Sequence, residues 1–98
     1  MSDTSFKEHI KIKVDKPKNY NVLFYNDDKT TIDFVEYVLC EIFDKSEEEA
    51  YELTMKIHNS GCSVVGTYNK DGAYTRASDT IELARHNNFP LKVDVEEA

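Results

Sequence analysis

The spacing of apolar positions changes along this chain, and each change marks an element. From Tyr20 to Tyr25 the run Tyr-Asn-Val-Leu-Phe-Tyr is rich in aromatic and β-branched residues, then is cut by Asn26-Asp27-Asp28, whose short polar side chains favour turns. It predicts a strand. Ile32, Val35, Val38, Leu39 and Ile42 then recur at three- and four-residue spacing behind Thr30 or Thr31, either of which can cap a helix. Ser46 and Glu49 are the two ends of a capping box, so a second helix starts there. Its stripe runs Ala50, Leu53, Thr54, Ile57 and His58, and Gly61 is placed to end it in the left-handed conformation.

Ser63 to Tyr68 predicts a second strand, and Asn69 to Gly72 a turn after it. A third helix is expected from roughly Tyr74 to Asn88 with Ala77, Ile81 and Ala84 inward, stopped by Asn87-Asn88 ahead of Pro90. Leu91, Val93 and Val95 alternate with Lys92, Asp94 and Glu96, the period of a half-buried strand. The order is β-α-α-β-α-β. Its economical packing is an α+β two-layer sandwich, with the helices on one face of a three-stranded antiparallel sheet. A chain of 98 residues, 40% hydrophobic, suits one such core.

Charge changes the picture at the N-terminus. Residues 1–18 carry five lysines against three acids, so the net charge of −7 becomes −9 over residues 19–98. Ile10, Ile12 and Val14 alternate with lysines before Pro17 interrupts any pairing, and the segment reads as a mobile arm ahead of a core domain over residues 19–98. The acidic balance repels phosphate backbones and anionic bilayers, so neither nucleic acid nor membrane is expected as a partner. No apolar run approaches the ~20 residues that cross a bilayer, and residues 1–18 lack the apolar stretch of a secretory signal, which predicts a cytoplasmic protein. Cys40 and Cys62 are expected as buried, reduced thiols, Cys40 lying inside the first helix.

Two clusters could carry chemistry. Asn26-Asp27-Asp28, at the exit of a strand and just before a helix, is an ordinary turn by composition, but its oxygens also make a set of acceptors with net negative charge. An ammonium group, a cation with several N–H donors, matches it. His58 shares a helix face with Thr54 and Ile57, which offers an imidazole, a hydroxyl and an apolar wall together. A single such histidine is commonly a satisfied core residue. Antiparallel packing of the first two helices across Asp44-Lys45 would set Ile32 and Val35 against Ile57 and His58, beside the acidic triplet. No nucleophile-and-base set is apparent, nor a CxxC or HExxH motif, so no catalytic residue, cofactor or metal is predicted. His58 and Cys62 are four apart, but Gly61 breaks the helix between them, which argues against a zinc site.

The stretch from Tyr20 to Val35 with its Asn26-Asp27-Asp28 and Thr30, then Ile57-His58 with Gly61, then Gly66, and finally Pro90-Leu91, resembles the ClpS family, the N-degron adaptors of the Clp proteases. The resemblance runs from Tyr20 to the C-terminus. It implies a non-enzymatic, monomeric adaptor in which Asn26, Asp27, Asp28, Thr30 and His58 hold the α-amino group and first peptide bond of a substrate. Ile32, Val35, Thr54, Ile57 and Leu91 would line the pocket for its first side chain, and Thr30 would share in that wall. It further implies cargo beginning with Leu, Phe, Tyr or Trp, delivered to the N-terminal domain of the AAA+ unfoldase ClpA or ClpC through a separate face at Asp71 and Arg76. Three positions depart from the family's usual residues: Thr31 for proline, Ile32 for methionine, and Thr54 where a bulky methionine is common. Thr54 should widen the pocket rim, and its hydroxyl is expected to find a backbone carbonyl one turn back on its own helix. The same order of elements also resembles the C-terminal domain of the ribosomal stalk protein, a docking module that would need neither the acidic cluster nor the slot beside it.

Overall fold

The computed structural model describes residues 18–98, so the predicted arm, apart from Lys18, lies outside the described residues. The elements follow in the expected order: β1 (Tyr20–Tyr25), α1 (Ile32–Glu41), α2 (Glu47–Ser60), β2 (Cys62–Tyr68), α3 (Lys70–His86) and β3 (Lys92–Glu97). The sheet order is β2-β1-β3, antiparallel at both junctions, so the strand with the densest apolar run takes the centre. Val22 and Phe24 of β1 point into the core with Val65, Val93 and Leu91, and the helices cover that face with Phe34, Val38, Leu39, Ala50, Ala77 and Ala84. A bulge between Val22 and Leu23 lets β2 carry one extra residue, Val65, which is buried. Aromatic edges lock the layers: Phe43 meets Phe24 edge-on at 5.4 Å and Phe34 packs on Phe89 at 4.9 Å.

The caps fall where the sequence places them. Thr31 rather than Thr30 caps α1, accepting from the Phe34 amide. Ser46 and Glu49 close the reciprocal capping box of α2, and Gly61 ends it at φ +91°. The turn expected after β2 is not there. The stretch from Asn69 to Gly72 is no turn but the start of α3, with the Asn69 side chain accepting from the Gly72 amide at 2.7 Å. An asparagine three residues ahead of an amide serves a turn or an N-cap with the same bond, so composition alone does not separate them. The far end of α3 comes two residues early, at His86, and Asn88 takes a left-handed φ of +62°. Arg85 then donates from Nη1 to the carbonyls of Phe89 (2.9 Å) and Leu91 (3.0 Å), turning the chain into β3. Leu91, expected as the first residue of that strand, lies just before it. Cys40 and Cys62, expected as buried, are free thiols but only half-buried, Cys62 because it opens β2 on the face opposite the buried Ser63 and Val65.

Candidate functional site

The loop after β1 owes its shape to Asp27. Its Oδ1 accepts from the amides of Lys29 (2.8 Å) and Thr30 (2.7 Å), and its Oδ2 accepts from the Thr30 hydroxyl at 2.7 Å. Burial works against the charge, but the Thr30 and Lys29 bonds, helped by the positive charge of Arg85, outweigh it and hold the carboxyl below the usual aspartate range. Asp27 is therefore a strut for the loop, with one acceptor site left on Oδ2. Asp28, next along the chain, is exposed and accepts no hydrogen bond among the described residues. The start of the same loop is tied to the end of α2, since the Asn26 amide donates to the Gly61 carbonyl at 2.8 Å. That link brings the acidic triplet alongside His58, three residues before Gly61.

A cavity of about 250 Å³ opens at this junction, lined by Asn26, Asp27, Asp28, Thr30, Ile32, Val35, Thr54, Ile57 and His58. Nine of the ten residues expected around the site thus share one wall, although they come from a loop and two helices. The two ends differ in character. Asn26, Asp28 and His58 are exposed and polar, whereas Val35, Thr54 and Ile57 are buried. Ile32, expected in the buried stripe of α1, is 42% exposed and stands at the rim, because it is the first residue of the helix and has no turn before it to pack against. Leu91 is the exception: it is 1% exposed, packs in the core and does not line the cavity. The Thr54 hydroxyl does not take a carbonyl one turn back; its Oγ1 is buried without a hydrogen-bond partner among the described residues.

Asp71 and Arg76 lie elsewhere, in the first two turns of α3. Asp71 is exposed. Arg76 is half-buried: its guanidinium lies 4.2 Å above the Tyr68 ring, and Nη1 donates to the Gly72 carbonyl at 3.2 Å. Gly66 makes this possible, since a Cβ there would run into the Tyr68 ring. Tyr68 ends the strand that Cys62 begins beside the cavity, so the six steps between them put these two regions roughly 20 Å apart. Spacing did not mark Arg85, and its reach toward the carbonyls around Pro90 and toward Asp27 reveals it. Among the described residues no group of three or more His, Cys, Asp or Glu could hold a metal ion, and no helix is long and apolar enough to cross a membrane.

Comparison with known proteins agrees with this geometry. The sequence pattern of the family described as ATP-dependent Clp protease adaptor protein ClpS matches residues 15–94. The ATP-dependent Clp protease adapter protein ClpS of Helicobacter hepaticus is 40% identical over 97 residues, covering 99% of this chain and 98% of its own length. The protein of the same name from Treponema denticola is 47% identical over 81 residues, 83% of this chain and 80% of that one. Among solved structures, Agrobacterium tumefaciens ClpS2 bound to L-phenylalaninamide superposes with a TM-score of 0.81 at 35% identity, covering 85% of this chain and all of that one. With a matching fold, order of elements and family pattern over most of its length, the chain belongs to the ClpS family of Clp protease adaptors.

Proposed function

We propose that the cavity receives the first residue of a protein substrate, and that the chain carries that substrate to a Clp AAA+ unfoldase, ClpA or ClpC, without doing chemistry of its own. The observation that carries this is the polarity of one cavity: exposed acceptors at Asn26, Asp28 and His58 beside a buried apolar wall at Val35 and Ile57. A free α-ammonium brings three donors and is mostly protonated at neutral pH. Each charge-assisted hydrogen bond contributes ~1.5–3 kcal/mol, and burial of a Leu or Phe side chain adds about the same. Together these gross terms come to roughly 6–12 kcal/mol, the scale needed to offset the translational and ordering costs of association. L-Phenylalaninamide, the molecule bound by the Agrobacterium relative, has the free amine, the apolar side chain and the carboxamide of a first residue. Asp27 and Thr30 contribute by fixing the loop that presents Asn26 and Asp28.

The test is a titration of peptides differing only in their first residue, each with an N-acetylated control. Peptides beginning with Phe, Tyr, Trp or Leu should bind, acetylation should abolish binding, and His58→Ala should weaken it by roughly ten-fold or more, in line with a polar contact of ~1–3 kcal/mol. Equal affinity for the acetylated peptide would overturn the proposal.

A further inference from the structure

Thr54 is 3% exposed, lines the cavity, and carries a hydroxyl oxygen with under 1 Å² of accessible surface and no partner. Buried hydroxyls are nearly always bonded, and one left unpaired is costly to its protein. None of the side chains lining the cavity is placed to pair with it. Val35 and Ile57 are apolar, and the side chains of Asp27 and Thr30 are engaged with each other. The polar residues at the mouth are those that the preceding proposal assigns to the α-amino end. An occupant of the cavity can supply the partner that no lining side chain offers. As placed the oxygen has almost no accessible surface, and it reaches the cavity by rotation into the second of the two χ1 wells that a helical threonine populates.

Resting on the preceding proposal, we infer that Thr54 biases the pocket toward first side chains carrying a hydrogen-bonding group of their own, tyrosine above phenylalanine, by pairing its hydroxyl with that group. A cavity of about 250 Å³ with an apolar wall calls for an aromatic body, because a short polar side chain such as serine would leave most of it empty. A tyrosine fills the same volume as a phenylalanine and adds one O–H that both donates and accepts, as the threonine does. The paired state removes an unsatisfied group from the protein and buries the phenol without loss. Phenylalanine fills the slot but leaves Thr54 as it was.

The experiment measures Tyr- and Phe-initiated peptides, otherwise identical, against the wild type, Thr54→Val and Thr54→Ser, with acetylated controls and melting curves. Valine keeps the shape and the β-branch while removing the hydroxyl, and serine keeps the hydroxyl. The Tyr-to-Phe affinity ratio should fall about five-fold in Thr54→Val, as expected for one net hydrogen bond, and persist in Thr54→Ser. Thr54→Val should melt no lower than the wild type, since its hydroxyl has no partner to lose; a clear drop would place that bond inside the protein and overturn the inference. An unchanged ratio in Thr54→Val, with amine-dependent binding intact, overturns the inference and leaves the adaptor proposal standing. If neither peptide binds the wild type in an amine-dependent way, both fall together.

Discussion

Asp27 and Asp28 are adjacent, chemically identical and differently occupied. Asp27 spends its oxygens on Lys29 and Thr30, whereas Asp28 stands exposed at the cavity mouth. Asp27→Ala should therefore act on the fold, removing hydrogen bonds that hold the loop and costing about 1–3 kcal/mol of stability. Asp28→Ala should leave the melting temperature nearly unchanged and weaken the binding of a free-amine peptide. The pH dependence follows from the direction of the shift. A carboxyl held below its usual range contributes stability that is fully present above the unfolded aspartate value and is lost as pH falls through the lowered folded one. The gap in melting temperature between wild type and Asp27→Ala should thus stay constant near neutrality and close only in strong acid. A gap that closes near pH 6 would assign the stabilisation to another group.

At the scale of elements, α3 answers for the second proposed surface. Asp71 and Arg76 lie within two turns of each other, yet they are unequal as probes. Arg76 is stacked on Tyr68 and bonded to Gly72, so reversing its charge would disturb the packing of α3 on β2 as well as any partner contact. Asp71 is exposed in the first turn, and Asp71→Lys changes the surface at the cost of a few tenths of a kcal/mol from the helix dipole. The expected outcome is reduced delivery of a degron-bearing substrate by Asp71→Lys, with unchanged peptide affinity, because the cavity lies roughly 20 Å away along β2. Parallel loss of both would contradict two separate sites.

Over the whole molecule the proposed division of labour is between capture, hand-over and the arm. The lysine-rich residues 1–18 offset part of an acidic body and lack a sustained apolar pattern, as a segment engaged by a partner would. Deleting them should leave peptide titrations unchanged and slow degradation of a degron-bearing substrate by the unfoldase and its protease. Unchanged degradation would make the arm irrelevant to delivery.

Local physics fixed more of this protein than its small size suggests. The aromatic and β-branched run Tyr20–Tyr25, the capping box at Ser46 and Glu49 and the left-handed stop at Gly61 were legible because each depends on residues within one turn or one strand. So was most of the cavity wall, since residues three or four apart on a helix share a face and a short connection forces α1 and α2 antiparallel. The remainder depended on which atoms meet across elements. Leu91 packs in the core rather than lining the cavity, and its carbonyl is held by Arg85 from the end of α3, a contact between residues six apart that no periodicity marks. Asp27 became a strut and Asp28 stayed free because only one of two equal carboxylates faces the amides of the turn. The sequence placed a hydroxyl at Thr54, but whether that hydroxyl is satisfied is a property of its surroundings, and only the tertiary structure leaves it buried and unpaired beside an open slot.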